Sequence, residues 1–197
     1  MTEMLRVCAR AARVTVLLAA AFFLASPALS PPTHAQRRRT TRASRNAQIT
    51  AMLAEIDARN IERTIRKLVS FGTRNSLSAQ DDPARGIGAA RDWLFGEFQK
   101  IAAATGGRMT VELQTFEQQP GQFPRITRPT KITNVVARLN GTQSSSSRMY
   151  VVSGHYDSMC TRPIDATCDA PGANDDASGV AAVLEMARVM AKREFDA

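Results

Sequence analysis

Apolar residues recur at steps of three and four along three stretches of the chain, the spacing that predicts amphipathic helices. The first stretch is interrupted at Asp57–Asn60, so it predicts two helices or one bent helix, and Gly72 follows it where a left-handed C-terminal cap is expected. The second runs from Pro83 to Gly106-Gly107 and the third over Ala177–Arg193. The apolar positions are Ile49, Met52, Leu53, Ile56, Ile61, Ile65, Leu68 and Val69, then Ile87, Ala90, Leu94, Phe98 and Ile101, then Val180, Val183, Leu184, Ala187 and Met190.

Three other stretches have the pattern of β-strands. Met109–Phe116 alternates apolar and polar residues, which predicts a strand with one buried face. Ile132–Leu139 predicts a second strand. Met149–Gly154 predicts a third, and its continuous apolar run is typical of a strand that is buried on both faces of a sheet covered by helices. Helices and strands together predict an α/β fold.

The first 35 residues differ from the rest of the chain. Arginines precede the uncharged apolar run Val14–Ala25, and a proline-containing segment then ends at Ala35, a pattern that predicts a secretory signal peptide over residues 1–35. The alternative is an uncleaved membrane anchor, but this run is shorter than the roughly 20 residues that cross a bilayer. We therefore expect a secreted or periplasmic protein without a stable membrane anchor after cleavage.

The excess positive charge is concentrated in residues 36–46. The whole chain carries a net charge of +8, and this short stretch contributes Arg37, Arg38, Arg39, Arg42 and Arg45 without apolar periodicity. It predicts a basic, disordered arm that precedes a domain over residues 47–197. Nucleic-acid binding is the alternative, but no aromatic residue lies among the arginines to stack on bases. We expect no nucleic-acid partner.

His155 and Asp157 follow the third predicted strand, at the end where open α/β sheets bind ligands. Residues two apart in a strand face the same side, so both side chains can serve one site. A neutral imidazole binds zinc through one nitrogen and commonly needs a carboxylate to orient the other, a role that Asp157 can fill. A purely structural histidine is the alternative.

A second cluster, Asp175-Asp176, lies in a glycine-containing turn ahead of the last helix. A carboxylate has two oxygens and can bridge two cations, which makes Asp175 a candidate ligand. Asp176 is expected to cap the helix instead.

Between the clusters lie Cys160 and Cys168, which an oxidising compartment would let pair. Zinc binding by these thiols is the alternative, although structural zinc pairs are more closely spaced.

Together these residues resemble the co-catalytic di-zinc aminopeptidases of the bacterial leucyl aminopeptidase type, zinc metallopeptidases of peptidase family 28. The similarity rests on two blocks at this spacing, Gly154–Ser158 and Ala170–Gly179. The helical lead-in, Phe71–Arg74 and Asn134–Ala137 also look like the upstream part of such domains, so the resemblance extends over roughly residues 49–193.

The resemblance implies a fold, a cofactor and a reaction. The fold is a three-layer αβα arrangement with a mixed, mostly parallel sheet. The cofactor is a pair of Zn²⁺ ions: His155 would bind one, Asp175 would bridge both, and Asp157 would be the catalytic-site residue that orients His155. The peptide after Asp175 is expected to be cis. The reaction is hydrolysis of the first peptide bond of a peptide or protein with a free N-terminus, by a zinc-activated water that a glutamate helps to deprotonate.

The catalytic set of such enzymes is incomplete in this sequence. It also needs a Glu-Glu pair, another carboxylate and a second histidine after the last helix, whereas the acids that follow Asp176 are Glu185, Glu194 and Asp196. Glu185 is expected on a solvated helix flank. The sequence thus predicts the N-terminal portion of a zinc-peptidase-like domain, incomplete at the C-terminus. The function hypotheses are a secreted zinc aminopeptidase, a non-catalytic secreted binding domain, and an amidohydrolase or glutaminyl-cyclase-like enzyme on the same scaffold.

Overall fold

A computed structural model describes residues 46–196 of the chain. The predicted signal peptide, residues 1–35, and the predicted basic arm up to residue 45 lie outside the described residues, so both stay predictions. Within residues 46–196, no helix is long and apolar enough to cross a membrane.

Four helices and two strands form the described region. In chain order they are α1 (Ala47–Ala54), α2 (Ala58–Ser70), α3 (Ile87–Ala103), β1 (Met109–Gln118), β2 (Thr130–Leu139) and α4 (Ser178–Met190). A wide helical turn, Ala173–Ala177, leads into α4, and its two aspartates have non-helical backbone angles.

The first apolar stretch forms two separate helices because each has its own N-terminal cap. The Asn46 side chain accepts hydrogen bonds from backbone N–H groups at the start of α1, and Asp57 accepts one from the Arg59 N–H at the start of α2. Gly72 ends α2 in the left-handed conformation with φ +71°, as predicted. The apolar residues of α1 were expected to be buried, but Ile49 and Leu53 are exposed.

Helix α3 begins four residues after the predicted start at Pro83. The Asp82 carboxylate accepts hydrogen bonds from the Ala84 and Arg85 N–H groups and closes a local turn instead. Gly86 follows with φ +94°, a conformation that prevents a continuous helix, and α3 begins at Ile87.

The two strands form an antiparallel hairpin. Its register runs from Met109 opposite Leu139 to Gln118 opposite Thr130, and the connection between them is the predicted proline-containing loop. Helix α3 packs against this hairpin, and α4 packs against both α2 and α3. The buried core between these elements comprises Leu68, Phe71, Ala89, Ala90, Leu94, Ala177 and Val180. Full burial of each large apolar side chain in this cluster stabilises the fold by about 2 kcal/mol.

The third strand predicted at Met149–Gly154 is not present in the described part of the chain. These residues have no strand assignment, and Val151 and Val152 are 80% and 55% exposed rather than buried on both faces. The physical reason is that a strand exists through hydrogen bonds to a neighbouring strand, and among residues 46–196 the sheet has two antiparallel strands. The α/β composition agrees with expectation, whereas a three-layer, mostly parallel sheet is not confirmed.

Glu185 is buried, so its predicted position on a solvated flank is wrong. It is 4% exposed and accepts hydrogen bonds from the Asp57 N–H (2.8 Å) and the Asn60 amide (3.1 Å). Arg188, one turn further along α4, donates to both carboxylate oxygens. The Arg188 hydrogen bond lowers the pKa of Glu185 below its ordinary value, and it outweighs the opposing effect of burial.

Cys160 and Cys168 form a disulfide, with their Cα atoms 6.4 Å apart. Their pairing excludes both thiols from zinc binding in this state. The closed loop lies between the two site clusters, and Asn75 fixes it further by donating to the Pro163 carbonyl (2.9 Å).

Replacing both cysteines by serine should lower the free energy of unfolding by about 2–3 kcal/mol, because the disulfide closes a short loop and reduces the entropy of the unfolded chain. Urea denaturation under non-reducing conditions measures this loss. The reduced parent chain is the control and should match the double variant. An unchanged unfolding midpoint in both would contradict the prediction.

Candidate metal centre

The segment that carries His155 lies directly against the N-terminal turn of α4. Gly154 makes this approach possible, since a Cβ atom there would lie 2.7 Å from the Val180 nitrogen and 2.8 Å from the Gly179 carbonyl carbon. The next backbone N–H, that of His155, donates to the Asp176 carboxylate (3.2 Å). The helix start therefore holds the histidine in place.

Asp176 accepts a hydrogen bond from a backbone N–H of the first turn of α4, as predicted, although Ala177 rather than Asp176 stands at the N-cap position. Its carboxylate accepts a hydrogen bond from the Gly179 N–H (2.9 Å) in addition to the one from His155. Because both of its oxygens are used in this way, Asp176 links the histidine segment to the helix. The Asp175–Asp176 peptide is cis, as the resemblance implies.

The His155 ring lies between two carboxylates. Its Nδ1 atom is 3.0 Å from Asp157 Oδ1, and its Nε2 atom is 3.0 Å from Asp175 Oδ1. The structure thus brings together the three residues that the sequence predicted for the site. Their roles as ligands and as an orienting group stay predictions.

The two contacts of the ring cannot both be hydrogen bonds of a neutral histidine. If the proton is on Nδ1 and is donated to Asp157, then Nε2 presents a lone pair to an oxygen of Asp175. Two acceptors at this distance need a cation between them, which is either a second proton or a metal ion. Partial burial lowers the pKa of His155, but the charge and hydrogen bond of Asp157 outweigh it, so the net pKa is raised.

The donor atoms of His155 and Asp175 fit zinc. Imidazole nitrogen and carboxylate oxygen are common zinc ligands, and two ligands in a tetrahedral zinc site lie about 3.3 Å apart. The His155 and Asp175 side chains are 57% and 85% exposed, so both are accessible to solvent. Across residues 46–196, however, no group of three or more His, Cys, Asp or Glu side chains is arranged to hold a metal. The described residues thus bring together two candidate ligands, fewer than the three or four of a stable zinc site.

Arg74, which the sequence singled out only as part of the segment Phe71–Arg74 and without a role, lies beside the candidate site. It is 0% exposed, and its guanidinium donates to the carbonyls of Tyr156 (2.7 Å), Pro171 (2.8 Å) and Gly172 (3.0 Å) as well as to that of Leu68 (2.9 Å). These carbonyls belong to the end of α2 and to both segments that carry the candidate ligands. Arg74 therefore joins the two halves of the site.

Ser158 strengthens the same junction. Its hydroxyl donates to the Ala170 carbonyl (2.7 Å) and accepts a hydrogen bond from the Arg74 N–H (3.1 Å), while its own N–H donates to the Arg74 carbonyl (3.0 Å). The loop that contains the disulfide is thus closed at its base by hydrogen bonds as well as by the sulfur bridge.

Tyr156 lies between the site and the hairpin. Its hydroxyl donates to the Thr133 carbonyl in β2 (2.7 Å), and its ring packs against the core cluster. Burial is the main cause that raises the pKa of Tyr156 to about 12.

The shifted pKa of Tyr156 predicts a pH dependence. Because the folded-state pKa lies above the ordinary value of about 10, the neutral phenol contributes stability that is fully present below about pH 10. This contribution is lost as the pH rises through about 12. Tyr150 is the chain's other tyrosine, so absorbance titration of a Tyr150→Phe variant should report Tyr156 alone. A midpoint near 10, equal to that of the same variant unfolded in denaturant, would contradict the prediction.

Comparison with known proteins identifies the class to which this arrangement is similar. Residues 134–197 match the model of Peptidase family M28. That segment begins in β2 and contains His155, Asp157 and Asp175, so the match includes both blocks of the candidate site.

Several relatives are named Probable zinc metalloprotease. One from Pyrenophora teres f. teres is 55% identical over 140 residues, which cover 71% of this chain and 30% of that protein. One from Phaeosphaeria nodorum is 50% identical over 157 residues, covering 74% and 32%, and one from Pyricularia oryzae is 52% identical over 148 residues, covering 75% and 29%. The chain thus spans about 30% of the length of the curated relatives it matches. The family match and these names together make the chain similar to zinc metallopeptidases of family M28, and they do not single out the bacterial leucyl aminopeptidase type.

Proposed function

We propose that the protein is a zinc-dependent peptidase of family M28 and acts as an aminopeptidase on peptide or protein N-termini. The observation that carries the proposal is the pair of facing acceptors, His155 Nε2 and Asp175 Oδ1, 3.0 Å apart beside an Asp157 that holds the other ring nitrogen. A carboxylate behind a metal-binding imidazole is the usual support of such a ligand.

The residues of the chain have distinct roles in this proposal. His155 and Asp175 each provide one ligand atom, and the second Asp175 oxygen is free to reach another cation. Asp157 fixes the tautomer of His155, so that Nε2 keeps its lone pair for the metal. A bound zinc ion supplies Lewis acidity and lowers the pKa of a water molecule. Two zinc ions and a three-layer αβα fold belong to the same proposal and follow from the resemblance. Secretion also belongs to it and follows from the signal-peptide pattern of residues 1–35.

Peptidase assays with two matched substrates test the proposed activity. The protein, purified from its own host, should hydrolyse leucine p-nitroanilide but not the N-acetylated form, because an aminopeptidase needs the free amine. A chelator should remove the activity and Zn²⁺ should restore it. Intact mass spectrometry of the same sample defines the chain that carries the activity. Equal turnover of both substrates, or turnover insensitive to the chelator, would refute the proposal.

One observation favours a second candidate, a secreted binding domain on the peptidase scaffold. The described residues bring together two candidate ligands rather than the three or four of a stable zinc site. This candidate predicts weak Zn²⁺ uptake through His155 and Asp175 and no hydrolysis of any aminoacyl substrate. Zinc-dependent turnover by the purified chain of residues 1–197 would exclude it.

A further inference from the structure

Arg74 connects the two segments on which the candidate ligands stand. Tyr156, whose carbonyl it binds, is adjacent to His155, and Gly172 lies three residues before Asp175. We propose that Arg74 is a positioning residue that fixes the separation of His155 Nε2 and Asp175 Oδ1, and thereby the affinity of the site for zinc. This inference rests on the proposed function.

The geometry requires an arginine rather than any long cation. The planar guanidinium donates in several directions at once, from Nε to Tyr156 and from its two terminal nitrogens to Leu68, Pro171 and Gly172. A lysine has its three donors on one nitrogen, so it cannot reach all four carbonyls. Substitution by lysine should therefore keep the charge and lose part of the connection.

Gly172, which accepts one of the Arg74 hydrogen bonds, supports the positioning role of Arg74. Gly172 has φ +48°, and a Cβ atom there would lie 2.9 Å from Arg74 Nη2 and 2.6 Å from Ser158 Cβ. The segment that carries Asp175 can therefore approach the Arg74 guanidinium this closely only with glycine at position 172.

The charge of Arg74 also acts on the site. Burial lowers its pKa, but the Asp157 carboxylate, which orients His155, raises it in part. Arginine remains protonated at any physiological pH. Arg74 thus holds the two ligand segments by hydrogen bonds and interacts electrostatically with the group that orients one ligand.

Arg108 provides a matched control. Its guanidinium donates to the carbonyls of Ala191 and Arg193, both at 2.7 Å, at the opposite end of α4. Arg108→Met therefore removes an arginine that binds backbone carbonyls without touching the candidate site. Any effect shared by Arg74→Met and Arg108→Met reflects general loss of structure.

The test measures Zn²⁺ affinity by calorimetry on the full chain, at a temperature where circular dichroism shows each variant folded. Side-chain nitrogen NMR provides a readout without metal, because the chain has two histidines and a His34→Gln variant assigns His155. Arg74→Met should weaken Zn²⁺ binding about tenfold or more and shift the His155 resonances. Arg74→Lys should recover part of both, and Arg108→Met should change neither.

The other possible results also support or overturn the positioning role of Arg74. Equal Zn²⁺ affinity and equal His155 resonances in Arg74→Met and Arg108→Met would overturn the inference. If Arg74→Met does not fold, the same comparison with Arg74→Lys decides. If the parent chain takes up no Zn²⁺, the proposed zinc-dependent function is contradicted. The comparison of the His155 resonances in Arg74→Met and Arg108→Met then decides alone whether Arg74 positions His155.

Discussion

Gly154→Ala should destabilise the chain by about 2–3 kcal/mol. The added Cβ atom would meet the backbone nitrogen of Val180 at 2.7 Å and the carbonyl carbon of Gly179 at 2.8 Å. Both atoms belong to the first turn of α4 and cannot move aside as the end of a flexible side chain would. The His155 segment must then shift away from the helix, so we also expect weaker Zn²⁺ uptake. Chemical denaturation measures the loss of stability.

Gly96→Ala is the control for this substitution. Gly96 lies inside α3, and a Cβ atom there meets nothing within 4 Å. The same change of residue should therefore stabilise the chain by about 0.5–1 kcal/mol, the usual gain of alanine over glycine in a helix. If the two variants shift the unfolding free energy by the same amount in the same direction, the prediction that a Cβ atom at position 154 clashes with α4 is wrong.

Glu185→Gln should cost about 3 kcal/mol at neutral pH. The glutamine amide would place a donor against Arg188 or Asn60, where both carboxylate oxygens now accept hydrogen bonds. The substitution also removes a pH dependence. Because the folded-state pKa of Glu185 is lowered from 4.5, its stabilising contribution is present above about pH 4.5 and is lost as the pH falls through the folded-state pKa.

Unfolding free energies of parent and variant between neutral and acidic pH measure this effect. The difference between them should shrink as the pH falls, because both side chains then carry no charge. Glu62→Gln is the control, since Glu62 pairs with Arg66 on an exposed helix surface and should change stability by less than about 0.5 kcal/mol. A constant difference across the pH range would contradict the account of Glu185.

The helices and the hairpin could be predicted from the sequence because their signals are local. The three- and four-residue spacing of apolar side chains predicted α2, α3 and α4, alternation predicted β1, and the stretch Ile132–Leu139 predicted β2. The exposed run at Met149–Gly154 could not be predicted in the same way. Apolar composition favours a strand, but the strand itself depends on hydrogen bonds to a neighbour that the pattern does not specify.

The three residues of the candidate site could be picked out of the sequence, and their roles stay predictions, whereas the residues that hold them in place could not be picked out. His155, Asp157 and Asp175 have side chains whose chemistry points to a metal. Arg74, by contrast, binds carbonyls 82 and 98 residues away, and every residue has a carbonyl, so its partners leave no trace in the sequence. Glu185 is similar, since two of its hydrogen-bond partners lie 128 and 125 residues earlier in the chain.

Calorimetric titration of Zn²⁺ into the full chain and three variants tests the central claim, that His155 and Asp175 share one cation. His155→Asn and Asp175→Asn should each weaken binding at least about tenfold. Asp169→Asn is the control, because Asp169 is an exposed aspartate of the same region that pairs with Arg85, and it should leave binding unchanged. The same Zn²⁺ affinity in the parent, His155→Asn and Asp175→Asn would contradict the claim.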